Sequence, residues 1–201
     1  MRSKLSSHKG ERYAIDVLSS GEVRALLDGC NKRYYSGSRN RALIAVLYRC
    51  GLRVSEALAL SIHDVDLDNG KVQVRRGKGG KRRTVGIDEV AVELVRYYLL
   101  QWRSTVDGGG SLLFVTRLGT PVRPVYVRLL LRRLAKRAGI SKRVHPHGLR
   151  HSRAHQLEAE GVPVSIVSKI LGHSSIATTS IYLDHIHPTD VVDTLRNSRW
   201  D

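Results

Sequence analysis

The sequence predicts an α+β fold, mostly α-helical with a small antiparallel β-sheet. Three observations predict it. Apolar residues recur at helical spacing in separate stretches, as in Val127, Leu130, Leu131, Leu134 and Ala138. Between about Asp64 and Ile87 the period falls to two, in short runs separated by glycine-rich turns. The chain of 201 residues, 41% hydrophobic, is long enough for one domain with a substantial core, or at most two small ones.

The elements follow in order. MRSKLSSHKGER is polar, with no apolar segment behind its charges, so residues 1–17 read as a mobile tail or linker stub and not as a secretory signal. Ser19-Ser20-Gly21-Glu22 is a capping box, and the helix it opens carries Val23, Leu26 and Leu27 on one side. A second helix covers about Ser38 to Cys50, with the apolar run Ala42 to Tyr48 suited to a core, and Gly51 ends it. Val65 and Leu67 lead into an Asp68-Asn69-Gly70 turn and a strand with Val72 and Val74. Gly77-Lys78-Gly79-Gly80-Lys81 is a tight basic turn, after which Thr84, Val85 and Ile87 return as a further strand. Asp88 caps a helix to about Arg103, a glycine-rich loop spans 106–111, and Leu112 to Val115 is a short strand or extended segment. A basic helix then runs from Val125 to Ala138.

In the stretch from His145 to Tyr182, a helical reading puts His147, Arg150 and His151 at i, i+3 and i+4, on one face. A short helix follows, opened by Pro163 and closed by Gly172, with His173 directly after the stop and Tyr182 nine residues on. Two histidines, an arginine and a tyrosine are thus available to one pocket. Arginine holds phosphate oxygens with a forked pair of hydrogen bonds, imidazoles donate or accept, and a phenol oxygen is a potential nucleophile. His147 and His151 are also spaced as a zinc pair, but the glutamate of H-E-x-x-H is missing and Arg150 would repel a divalent cation.

His147-Gly148-Leu149-Arg150-His151, Leu171-Gly172-His173 and Tyr182 together resemble the H-x-L-R-H, L-G-H and Y signature of the tyrosine recombinases, the phage-integrase family. Gly51-Leu52-Arg53-Val54-Ser55-Glu56-Ala57-Leu58-Ala59-Leu60 is similar to the family's first arginine motif, and the basic turn to its β-hairpin, whose lysine would be Lys78. The resemblance runs from Leu18 to Tyr182. It implies the catalytic-domain fold over 18–188 and a C-terminal segment, 189–201, in which Val191, Val192, Leu195 and Trp200 form a short helix that docks on a neighbouring protomer or packs on its own domain. Family members place a DNA-binding domain before the catalytic one, and about twenty residues are too few for it, so the sequence reads as an excised catalytic domain or a minimal recombinase.

A DNA phosphodiester needs charge neutralisation, an activated nucleophile and a proton for the leaving 5′ oxygen. Arg53 and Arg150 suit the first need. The resemblance makes Tyr182 the nucleophile that forms a 3′-phosphotyrosine, Lys78 the acid (with Lys81 in the same turn as its rival), His173 a further phosphate ligand, and His147 an aid to proton transfer. Glu56 and His151 would support and orient, and neither ATP nor a metal cofactor is required. Site-specific recombination is the implied activity; type IB topoisomerase-like relaxation and a non-catalytic DNA-binding role are the alternatives.

Composition agrees with that partner. Lys and Arg number 34 against 18 Asp and Glu, a formal net charge of +16, which calls for a polyanion such as double-stranded DNA; a ribosomal or membrane-surface protein is the blander reading. Arg128, Arg132, Arg133, Lys136 and Arg137, without an acid among them, point their helix at DNA phosphates, and Lys81 of the basic turn is a further DNA-binding candidate. The resemblance adds a homotetramer on DNA and accessory DNA-bending proteins. No apolar stretch reaches spanning length. Cys30 and Cys50 make no disulfide framework and read as buried thiols in a reducing cytoplasm. Tyr34-Tyr35 and Tyr97-Tyr98 read as structural, and His145 and His155 as exposed or DNA-facing.

Overall fold

The computed structural model describes residues 16–75 and 82–172. Lys78, Lys81, His173, Tyr182 and the expected short helix near Thr189 lie outside the described residues. Within them the chain forms α1 (Ser20–Asp28), α2 (Tyr35–Arg49), α3 (Val54–Leu58), β1 (Val65–Asp66), β2 (Lys71–Val74), β3 (Arg83–Gly86), α4 (Glu89–Gln101), α5 (Pro124–Arg137), α6 (Pro146–Ala159) and α7 (Val164–Leu171). The three strands form one antiparallel sheet in the order β1-β2-β3. The expected mixed, mostly helical architecture with a small sheet is what forms.

Helix α2 is the centre. Every residue from Ala42 to Tyr48 is buried, and the helix packs against α4 and α6. A helix apolar on nearly all sides is stable only when neighbours cover each face. Fully burying one of its Leu or Ile side chains is worth roughly 1.5–3 kcal/mol. The helix starts at Tyr35, three residues before the expected Ser38, with no capping side chain to mark the start. Burial drives it: the Tyr35 hydroxyl reaches the Val115 carbonyl (3.0 Å) and the Tyr98 hydroxyl (3.2 Å). Of the tyrosine pairs read as structural, Tyr35 and Tyr98 are core residues, whereas Tyr34 and Tyr97 face solvent.

Local signals behave as chemistry dictates. Ser19 Oγ accepts from the Glu22 N–H (3.1 Å), and Glu22 Oε2 accepts from the Ser19 N–H (2.7 Å), which closes the capping box. Asp88 Oδ1 caps α4 through the Ala91 N–H (3.0 Å). Val72 and Val74 point inward from β2, with Val85 opposite Val72. Leu113, Phe114 and Val115 are buried in an extended segment fixed by isolated bridges, Ser61 with Leu112 and Val115 with Pro121. The α5 stripe is buried at Val127, Leu130, Leu131 and Leu134, but Ala138 is exposed because the helix ends before it; Ala135 takes the inward place.

The start of the described chain is tied down. The Leu18 N–H donates to Ser152 Oγ (2.8 Å), Lys142 to the Val17 carbonyl (2.9 Å), and the Arg143 N–H to Asp16 (3.0 Å). A second, smaller core joins α6 to α7 through Ala154, Leu157, Val167 and Leu171. Cys30 and Cys50 are buried, and desolvation pushes their thiols up to about 11 and about 12, so both remain protonated and inert. No helix among the described residues is long and apolar enough to cross a membrane.

Candidate active site

Four segments meet at the end of α7. The first leaves α2 through Gly51, whose φ of +60° turns the chain into the extended residue Arg53, the N-cap of α3. Three residues on, Glu56 reaches back in a capping box: its Oε2 accepts from the Arg53 N–H (2.9 Å) and its Oε1 from the Arg53 guanidinium (2.9 Å). One carboxylate thus holds both the backbone and the side chain of Arg53.

The second segment is α6. Pro146 occupies its first turn, and His145 caps it, Nδ1 accepting from the Gly148 N–H (3.1 Å). His145 is thus half-buried, not exposed, and has a structural task, while it also lines the basic cleft beside α5; His155 is exposed as expected. Arg150 is 1% exposed, donating to the Gly51 carbonyl (2.8 Å) and closely to the Leu171 carbonyl. His147 lies on the same face, its ring edge-on to His151 with centroids 4.0 Å apart. His151 is partly buried beside it. Desolvation, then the charges of Arg150, His145 and Arg53, lower the His147 pKa below the ordinary histidine value. His147, an exposed residue, therefore sits within the field of both arginines, which disfavours its protonated form.

The third segment is β3, which brings a residue that sequence reasoning missed. Arg83 grips Glu56 with both terminal nitrogens (2.9 and 2.8 Å), and its Nε donates to the Ile170 carbonyl (3.2 Å). A signal for it existed. Arg83 has the same strand parity as inward-facing Val85 and pairs with buried Val74, so a cation on that face requires an acid. The Glu56 side chain is 2% exposed. Burial alone would raise its carboxyl, but the Arg83 hydrogen bonds, the Arg53 N–H and the Arg83 charge outweigh that and hold it below the ordinary value. Removing one partner of such a buried pair costs about 3–5 kcal/mol.

The fourth segment is α7 itself. Its last carbonyls have no helical partner and carry the negative end of the helix dipole. Arg83 takes Ile170, Arg150 takes Leu171, and Arg53 takes Gly172 over a long 3.5 Å. Gly172 has φ +63°, and a Cβ there would lie 2.9 Å from the Arg83 guanidinium, so this terminus admits only glycine without displacement. Three guanidiniums against the Glu56 carboxylate leave an excess of positive charge suited to a phosphodiester.

The structure thus gathers Arg53, Glu56, His147, Arg150 and His151, and adds Arg83. Lys78 and Lys81 belong to the connection between β2 and β3, and His173 follows Gly172 in sequence; with Tyr182, they are outside the described residues. The five cations of α5 are all exposed but divide. Arg128, Arg132 and Lys136 line a cleft of about 590 Å³ with Lys142, Arg143 and His145, while Arg133 and Arg137 line a smaller hollow beside Asn31, Tyr34 and Tyr126.

Comparison with known proteins agrees with this geometry. The sequence model of the phage integrase family matches residues 16–187. Tyrosine recombinase XerC of Xanthomonas campestris pv. campestris is 45% identical over 195 residues, which cover 94% of this chain and 58% of that protein. The crystal structure of XerA recombinase superposes with a TM-score of 0.78 at 34% identity, over 92% of this chain and 66% of that one. XerH site-specific recombinase, solved with its difH substrate before cleavage, gives 0.78 at 27% identity over 98% and 58%. The chain spans a little over half the length of the curated relatives it matches. With its arginine motif, its H-x-L-R-H helix and this fold in place, the chain belongs to the phage integrase family.

Proposed function

We propose that this chain is the catalytic part of a site-specific DNA recombinase that cuts and rejoins strands through a 3′-phosphotyrosine. The observation that carries the proposal is the convergence of Arg53, Arg150 and Arg83 with Glu56 on the end of α7, one residue before His173, with His147 on the same face of α6 as Arg150. In this reading Arg53 and Arg150 exchange backbone carbonyls for the non-bridging oxygens of the scissile phosphate, with His173 as a further donor. The Tyr182 oxygen attacks phosphorus, and its proton passes toward His147. The bond to the 5′ oxygen breaks, and Lys78 supplies the proton that this oxygen needs. Rejoining is the reverse reaction from a 5′-hydroxyl, so the bond energy is conserved and neither ATP nor metal enters.

Double-stranded DNA is the substrate, met in the cytoplasm, and the charge of +16 supplies the attraction. The relatives' names as tyrosine recombinases, and the XerH complex with its own site, favour exchange between duplexes over topoisomerase-like relaxation or mere binding. Exchange requires several protomers on DNA, a tetramer in the simplest arrangement. Residues 189–201 serve as the segment that docks on a neighbour, and DNA-bending proteins assist.

The test uses nicked duplexes with a randomised core, incubated with the chain in EDTA and run on denaturing gels. Wild type forms a protein–DNA adduct, and Tyr182→Phe binds DNA without forming one. An adduct that survives the substitution, or a wild-type adduct that needs magnesium, contradicts the mechanism.

A further inference from the structure

Arg83 has no role in the chemistry just described, yet it is the residue through which three parts of the site touch. Its two terminal nitrogens hold both oxygens of Glu56, the carboxylate that also orients Arg53. Its Nε holds the Ile170 carbonyl, and its guanidinium fills the space beneath Gly172. The side chain is 13% exposed and stands on β3, opposite Val74. It is therefore a rigid strut between the sheet, the Arg53 turn and the terminus that leads into His173.

From this we infer that Arg83 is a positioning residue for phosphate activation: it fixes the Glu56 carboxylate in the one orientation that aims the Arg53 guanidinium at the scissile phosphate. The inference rests on the proposed strand-cleavage activity. The physical reason is the fork. A carboxylate held by a planar bidentate guanidinium cannot rotate, whereas one held by an ammonium can, because lysine offers a compact point charge on a flexible stem. Glu56 also accepts from the Arg53 N–H, so rotation would loosen the N-cap of α3 and the aim of Arg53 together. A misplacement on the order of 1 Å in a catalytic group costs about 10²-fold in rate.

Arg83→Lys is the informative variant, since it keeps the charge that Glu56 needs while removing the fork. Adduct formation is timed on three nicked substrates: an ordinary phosphodiester, a neutral methylphosphonate at the scissile position, and a diester with sulfur in place of the 5′ bridging oxygen. DNA affinity and melting temperature are measured alongside, and rates are compared at a temperature where circular dichroism shows both proteins folded. The expected result is a loss of about 10²-fold on the ordinary diester at unchanged DNA affinity. Most of that loss should vanish on the methylphosphonate, which has no charge for Arg53 to neutralise, and should persist on the sulfur substrate. Arg53→Lys should show the same substrate pattern. Rescue by sulfur instead would mean that Arg83 acts through the leaving-group acid, and an equal defect on all three substrates would make it merely structural; either overturns the inference, as does a variant as fast as wild type. If wild type forms no adduct on the ordinary diester, the cleavage activity itself fails and this role falls with it.

Discussion

A guanidinium as buried as that of Arg150 is tolerable only when its donors are used, and here two carbonyls from different segments receive them. Those carbonyls, Gly51 and Leu171, flank Arg53 and His173 in sequence, so one side chain sets the spacing of two motifs. His147 depends on the same charges in the opposite sense, since Arg150 and Arg53 add to desolvation in disfavouring its protonated form. Its folded pKa lies below the ordinary value, so protonation comes only at more acid pH; in the proposed mechanism this leaves the ring able to accept the proton of Tyr182. Plotted against pH, the rate constant for adduct formation at limiting DNA should fall on the acid side with an inflection below 6.5. The inflection should disappear in His147→Asn. An inflection unchanged by that substitution would assign it to another group. At this scale Arg53, Glu56, Arg150 and His147 were legible, because each sits in a motif with fixed spacing. Arg83 carried only the signal of its strand parity with Val85, and it is the pairing with buried Val74 that shows which face it occupies. The capping task of His145 was not legible, because capping by a ring nitrogen leaves no mark in the sequence.

Among the elements, α5 shows how a helix can be read correctly in pattern and incompletely in use. Its apolar stripe and its five cations were plain from spacing, apart from Ala138, where the end of the helix decided against the periodicity. The division of the cations between two hollows was not plain, because it depends on where the 139–145 connection folds back. The start of α2 was hidden for a similar reason, since a buried Tyr35 and not a capping residue sets it. The cleft holding Arg128, Arg132 and Lys136 lies beside His145, and so beside the site, whereas Arg133 and Arg137 do not line it. Charge reversal should separate them. The slope of log affinity against log salt, about −0.9 per phosphate neutralised, should become shallower by about one in Arg132→Glu and change less in Arg133→Glu. Fluorescence anisotropy across a salt series measures both. Equal effects would mean that DNA does not follow the cleft.

Over the whole molecule, the large core built on α2 carries the Arg53 turn, and the smaller α6–α7 core carries the histidine helix and the terminus before His173. Leu149 of α6 is itself part of the large core, and the arginines meet where the two clusters adjoin. The mixed fold with its small sheet was readable from periodicity alone, and the assembly of distant motifs into one site only through the family resemblance, since no spacing rule connects Arg53 to Leu171. If this site delivers a tyrosine to DNA, the covalent link identifies the residue. The covalent adduct formed on a nicked duplex is digested with nuclease and protease, and the modified peptide is sequenced by mass spectrometry. The expected result is a single nucleotide joined through its 3′ phosphate to the Tyr182 oxygen. A nucleotide joined through its 5′ phosphate, or carried on any other residue, contradicts the account.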